Sequence, residues 1–240
     1  NVMLLGKAGD DHLHVILDKD SYYTSFAVRD VKLTFDNNDA KDVGLYNFDA
    51  WYSGSPTSGN GQSGNVEGKG TAFKFEGTEY MKVDALSGNS FPQDIGTFTM
   101  WIKPDSTTTA GANLLGAGNN FDHYHLGYSS AGVVTLSLKD DGLTPFVPAV
   151  TLATINVALD QWNHISFSWD TANSILLIGS NGNTSSYSVS FGTWRPTAQI
   201  FISEPTAWVD NIVLTSEFTD ATEMVNDYEN GLSLESGAFV

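Results

Sequence analysis

The sequence predicts an all-β protein: a two-sheet antiparallel sandwich with one short helix near the C-terminus. Three observations carry this. Apolar residues come in short, strand-sized runs, many of them alternating with polar ones. Turn-forming Gly, Asn, Ser and Asp clusters separate these runs every eight to fifteen residues, the rhythm of a sandwich. One stretch, Thr97 to Pro104, carries large apolar groups on both of its faces: Phe98, Met100 and Ile102 on one side, Trp101 on the other among Thr97, Thr99 and Lys103. Such a strand needs cover on both sides, so it is predicted to be central, with Trp101 in a core. Pro104 ends it, because proline has no ladder donor.

The chain has 240 residues, enough for one all-β domain with a short addition, and no cysteine. Its 28 acidic residues against 11 basic ones give a net charge of −17. Nucleic acid and anionic membrane surfaces are excluded as partners, since both demand a basic patch. No apolar run approaches the roughly 18 residues of a spanning helix, so no membrane insertion is predicted. The chain opens on Asn1 rather than Met, which predicts either a processed start or a chain cut from a longer one.

Residues 1–42 form a β-rich N-terminal arm or extension to a main domain over 43–240. Val2-Met3-Leu4-Leu5, His12 to Leu17 and Phe26 to Phe35 are its strand candidates. They are placed to extend the sandwich, cover an edge or pair with a second subunit. Asp36 to Asp42 starts like a calcium loop, but Lys41 and Asn47 stand where an EF-hand needs Gly and Glu, so it reads as an Asx-rich turn. Val43 to Trp51 is the next strand. Ser53 to Gly70 is almost free of apolar residues and reads as a surface loop; its Gly59-x-Gly61-x-x-Gly64 lacks the preceding strand and following helix that a dinucleotide site requires.

Thr71 to Phe75 and Glu79 to Val83 read as a hairpin-like pair around Glu76-Gly77-Thr78. After the central strand come Asn113 to Gly116, His123 to Tyr128, Val133 to Leu138 and Thr151 to Val157. In Gln161 to Asp170, Asn163, Ile165, Phe167 and Trp169 share one face and Trp162, His164, Ser166 and Ser168 the other. Ile175 to Gly179, Tyr187 to Phe191, Gln199 to Ser203 and Trp208 to Leu214 complete the strands. Thr219 to Tyr228 is the helix, with Thr219 as its cap, Met224, Val225 and Tyr228 on one face, and Asn230-Gly231 as its end.

From residue 43 on, the order of these pieces resembles the laminin-G-like branch of the concanavalin A-like jelly rolls. The resemblance rests on Gly44 to Asp49 as a first strand ending in an aromatic-Asp pair, Gly70 to Gly77 and Glu79 to Val83 as the next two, and Phe98 to Pro104 as the aromatic-to-Lys-Pro strand. Gln161-Trp162-Asn163-His164-Ile165 is similar to the Trp-x-His strand, and Trp208 to Leu214 to the closing strand before a short helix. It spans about residues 43–232. Two features depart from the pattern: Gly179-Ser180-Asn181-Gly182 stands where the family has Tyr-Val-Asp-Gly, and residues 1–42 have no counterpart.

The resemblance implies a two-sheet antiparallel jelly roll and a choice among hydrolases, lyases, lectins and adhesion modules. The hydrolases place a Glu-x-Asp-x-(x)-Glu cluster on one strand so that paired carboxylates flank the glycosidic bond. No such cluster is present; the nearest acidic run, Glu217 to Glu223, falls at the helix cap. The lyases of similar fold need a Gln-x-His strand, which is absent, and an arginine-rich one, whereas arginine is scarce here (Arg29 and Arg195 among the few). His12-x-His14 and His123-x-His125 pair imidazoles on a strand face without a third ligand in view. The expectation is therefore not an enzyme. It is a carbohydrate-binding or adhesion module, extracellular or on a cell or particle surface, with a glycan or polysaccharide as partner.

Sugar binding calls for exposed aromatics to stack on rings and polar groups for hydroxyls. The candidates, expected in loops, are Trp51, Tyr52, Tyr124, Tyr128, Trp194 and Arg195, whereas Trp162 and Trp169 join Trp101 in the core. The resemblance further implies a structural calcium ion where the first and last strands meet, with Asp49 and Asp210 at the matching positions. The alternative is an assembly protein, a virion or surface decoration unit or a filament subunit, whose residues 1–42 pair with a neighbour.

Overall fold

A computed structural model describes residues 2–5, 14–17, 31–33, 50–53, 57–63, 66–76, 80–84, 94–106, 112–117, 124–129, 132–138, 150–189, 199–203 and 206–230. The strands, in chain order, begin with β1 (Val2–Leu5), β2 (His14–Leu17), β3 (Val31–Leu33), β4 (Ala50–Ser53), β5 (Thr57–Ser63) and β6 (Val66–Glu76). Then come β7 (Tyr80–Asp84), β8 (Ile95–Pro104), β9 (Ala112–Ala117), β10 (Tyr124–Ser129), β11 (Val133–Leu138) and β12 (Val150–Asn156). The last are β13 (Asn163–Asp170), β14 (Ile175–Ser180), β15 (Asn183–Ser188), β16 (Gln199–Ser203) and β17 (Thr206–Thr215), followed by α1 (Ala221–Asn230).

Two antiparallel sheets make the sandwich. One has seven strands in the order β12-β11-β10-β9-β16-β7-β4. The other has eight, in the order β15-β14-β13-β8-β17-β6-β5, with β3 also paired to β17. β17 lays Thr206 to Val209 against β6 and Ile212 to Leu214 against β3, so these two strands share one of its sides. β1 and β2 form a two-stranded sheet of their own.

The strand that predicted the fold stands in the middle of the larger sheet. β8 pairs with β13 on one side and β17 on the other. Directly opposite residues of an antiparallel pair project to the same face. The pairs Phe167↔Phe98 and Ile165↔Met100 therefore put the alternating apolar residues on one shared surface. Phe98 and Phe167 meet at 5.2 Å between ring centroids, and Phe167 stacks on Trp169 at 5.6 Å. These residues are buried together with Phe73, Phe75, Leu176, Ile178 and Val209 of the same sheet and Met81, Val134 and Ile155 of the other. The opposite surface carries Thr97, Thr99 and Trp101 against Ser168, Ser166 and His164, also buried.

Helix α1 closes that second surface. Asp220, not Thr219, is its cap: Asp220 Oδ1 accepts the N–H groups of Thr222 and Glu223 at 2.8 and 2.9 Å. Glu223 Oε2 accepts the Asp220 N–H at 3.0 Å, completing a reciprocal box. Thr219 is drawn elsewhere. Its N–H donates to Thr97 Oγ1 and Ser168 Oγ, each at 2.9 Å, and the Thr97 hydroxyl donates to the Glu217 carbonyl at 2.7 Å. The polar residues of β8 and β13 thus pin the connection that swings the chain from β17 into the helix. Met224, 1% exposed, faces the sheet beside Gly179 and Ser166.

Three further expectations are corrected. The Gly-rich stretch between Ser53 and Gly70 is not a loop over its described residues; it forms β5 and the start of β6, which pair with each other. What stands in for side-chain alternation is Trp208 of β17, whose ring lies on Gly59 so closely that a Cβ there would sit 2.6 Å from Cζ3. The segments around Phe73 and Met81 are not a hairpin: β6 belongs to the larger sheet and β7 to the smaller. The chain crosses between layers there, which lets Phe73, Phe75 and Met81 all enter the core. The strand expected over 187–191 begins earlier, at Asn183, because Asn181 and Gly182 take the left-handed φ values (47° and 77°) of a two-residue hairpin turn and set Ser180 opposite Asn183.

Candidate functional site

Trp101 is the first aromatic to place. It is 3% exposed, lies 5.0 Å from the His164 ring and stacks on Tyr228 of α1 at 5.8 Å with 27° between planes. Tyr228 in turn lies over the Asn181-Gly182 turn, where a Cβ on Gly182 would sit 2.7 Å from its Cδ1. The helix seals this face, so Trp101 is core, as the sequence predicts, and offers no platform to a ligand. Burial pushes the His164 imidazole down to a pKa of about 4, so it is neutral at pH 7. Its backbone N–H and carbonyl are both held by Asn181, at 2.8 and 3.0 Å. Trp169 is core as well, at 1% exposure, whereas Trp162 is only half-buried.

The sequence-predicted ligand residues do not gather into one site. Trp51 and Tyr52 lie on β4, an edge strand, and Tyr124 and Tyr128 on β10. They stand on strands rather than in loops, since Trp51 is in register with Lys82 and Tyr124 with Leu138. β9, β16 and β7 separate the two pairs, four strand spacings or roughly 19 Å. Trp194, Arg195 and Asp49 lie outside the described residues, as do His12 and His123 of the two histidine pairs. Asp210 is described: it is 1% exposed, opposite Trp101 in register, and its Oδ1 accepts the Asn211 N–H at 2.7 Å. It sits at the register shift that runs to Val213, with Asn211 at a φ of 46°. No three His, Cys, Asp or Glu side chains come together to hold a metal ion among the described residues.

A groove that the sequence reading missed lies where the two sheets meet at one end. β12 closes the smaller sheet and β15 closes the larger, and the groove runs between β12 and the β14–β15 hairpin with a volume of about 230 Å³. Ile155 and Ile178, both buried, form its apolar floor. Thr154, Asn156, Ser180, Asn183 and Ser185 supply hydroxyls and amides around it. Tyr187 completes the wall and is 41% exposed. The register explains the grouping: Ser185 and Tyr187 stand opposite Ile178 and Leu176, so they project to the inner side of the larger sheet, at an edge that the smaller sheet leaves open. Every described lining side chain is uncharged. The signal in the sequence was a strand, Asn183-Thr-Ser-Ser-Tyr-Ser188, polar at every position but one. No core alternation explains that tyrosine.

Comparison with known proteins places the fold. Residues 75–207 match the family of the concanavalin A-like lectin/glucanases superfamily, of laminin-G type, and these residues are more than half of the 240. The chain belongs to this superfamily. Its sandwich superposes on the binding domain of botulinum neurotoxin DC in complex with SialylT (TM-score 0.64, 13% identity). It also superposes on the botulinum neurotoxin serotype D ligand-binding domain in complex with N-acetylneuraminic acid (0.65, 12%) and on the botulinum neurotoxin type G receptor-binding domain (0.62, 12%). Each match covers 82% of this chain and 50% of the other, so the chain spans about half the length of these toxin domains. At such identities the likeness is one of fold, and it agrees with the all-β jelly-roll sandwich and short C-terminal helix read from the sequence. No curated protein matches the chain in sequence. The superfamily takes in both lectins and glucanases.

Proposed function

We propose that this concanavalin A-like domain is a non-catalytic carbohydrate-binding module, displayed outside the cell or on a cell or particle surface. The observation that carries the reading is the groove between β12 and the β14–β15 hairpin. An exposed tyrosine ring beside neutral hydroxyls and amides is the chemistry that holds a sugar: the ring covers its C–H face and the polar groups exchange hydrogen bonds with its hydroxyls. Similar solved structures are binding domains, two of them in complex with SialylT and with N-acetylneuraminic acid, which supports a glycan partner. Cleavage of a glycosidic bond needs two carboxyl groups flanking it, and the described lining of the groove contains none. The test is a glycan array, paired with a reducing-end assay on polysaccharides. Binding without release of sugar ends supports the reading, whereas an empty array or released ends would sink it.

A structural calcium ion between Asp49 and Asp210 belongs to the same proposal. Calcium takes six to eight oxygens, and the described residues supply one carboxylate there, on the closing strand. Its test is thermal melting with and without chelator, where an unchanged transition argues against the ion. A second reading, self-assembly through residues 1–42, is favoured by β1 and β2, which pair with each other rather than with a described strand of the sandwich. A solution mass that drops on removal of residues 1–42 supports it, and an unchanged mass opposes it.

A further inference from the structure

We infer that the groove between β12 and the β14–β15 hairpin takes one uncharged sugar ring and discriminates against sialylated and other acidic sugars. This rests on the carbohydrate-binding reading above and names the ligand class of that site.

Size sets the first limit. At about 230 Å³ the groove falls below the range of roughly 300–1,000 Å³ typical of pockets that enclose drug-sized ligands. It has the volume of about eight water molecules. One ring fits, with its apolar face on Tyr187 and the rest of the glycan outside.

Charge sets the second. A sugar carboxylate that leaves water needs a cation or several charge-assisted donors in exchange. For polar partners the described lining offers hydroxyls, amides and backbone, which suit neutral hydroxyl groups. The described lysines stand elsewhere. Lys74 is on β6 and paired with Asp105 at 3.7 Å, Lys69 is on the same strand and Lys32 on β3; Lys103 is on β8, with β13 between it and β14; Lys82 is on β7, near the far edge of the smaller sheet. Behind the hairpin, α1 packs on β14 and β15 and carries Glu223, Asp227 and Glu229 but no lysine or arginine. The net charge of −17 adds repulsion at longer range.

The experiment uses the full chain on immobilised glycans that end in neutral hexoses or N-acetylhexosamines, each matched to its sialylated form. Hits are then titrated by calorimetry at low and physiological salt. Neutral ends are expected to bind at least about tenfold tighter than sialylated ones. Tyr187→Ala should weaken the neutral ligand about tenfold, and its melting temperature should stay at the wild-type value because the side chain is exposed. Asn183→Lys should shift preference towards the sialylated partner. Equal or tighter binding of sialylated glycans overturns this inference and leaves the carbohydrate reading standing. Neutral binding that ignores Tyr187→Ala overturns the assignment to this groove. Binding to no glycan overturns the carbohydrate reading and this inference with it.

Discussion

Lowering the pH from 7 to 5 is expected to cost this fold about 2 kcal/mol through a single side chain. His164 is 3% exposed beside Trp101 and Tyr228, and burial lowers its pKa from 6.5 to about 4. Below pH 6.5 the unfolded chain takes up a proton at this position while the folded chain does not. Stability therefore rises with pH across the window from about 4 to 6.5; it is complete above the window and is lost as the pH falls through it. The gap between 6.5 and about 4, at about 1.4 kcal/mol per tenfold, amounts to roughly 3–4 kcal/mol well below pH 4, of which about 2 kcal/mol is already lost at pH 5. For a chain of this size that corresponds to a drop of about 4–8 °C in melting temperature. The assay is urea denaturation at several pH values for the wild type and for His164→Phe, which keeps a ring beside Trp101 and Tyr228 but cannot be protonated. Carboxylates contribute a similar background to both proteins, so the difference in slope isolates the imidazole. Equal slopes between pH 7 and pH 5 would refute the reasoning.

Other perturbations test the packing. Trp101→Ala should destabilise by about 3–5 kcal/mol in denaturant unfolding; a loss under about 1 kcal/mol would mean that α1 does not cover this face. Gly96→Ala puts a Cβ 2.5 Å from Cζ2 of Trp169 and 2.9 Å from the Thr215 carbonyl. It should cost about 1–3 kcal/mol by overpacking, measured the same way. Asp220→Ala removes the acceptor for two helix N–H groups and should cost about 1 kcal/mol, whereas Thr219→Ala should leave helix capping intact. Comparison of the two melting curves decides which residue is the cap.

Much of the fold was legible because period-two patterning records burial directly. In β8 and β13 every alternate residue was assigned to its proper face, and Trp101 to the core, because an antiparallel pair buried on both faces leaves the same mark in each strand. β5 was illegible for the converse reason. Its Gly59 has no side chain to alternate, and the group that makes it a strand, Trp208, is far away in sequence. The cap was misplaced by one residue because Thr219 and Asp220 are both good capping types. What decided between them is the contact of Thr219 with Thr97 and Ser168, on two other strands. The candidate site shows the same divide. Aromatics alone pointed to Trp51, Tyr52, Tyr124 and Tyr128, which β9, β16 and β7 hold apart as two pairs.

An all-β sandwich, its central strand and its closing helix are legible in the sequence alone. These follow from local chemistry: alternation, turn residues and the spacing of short runs. Only the tertiary structure decided that β6 and β7 lie in opposite sheets, since a short turn serves a hairpin and a crossing between layers equally well. Only it could assemble the groove, because Ile155 comes from one sheet and Ile178 and Tyr187 from the other. Burial is a property each residue declares in its own strand. The groove is a meeting of β12 with the β14–β15 hairpin of the other sheet, and nothing along the chain records that meeting.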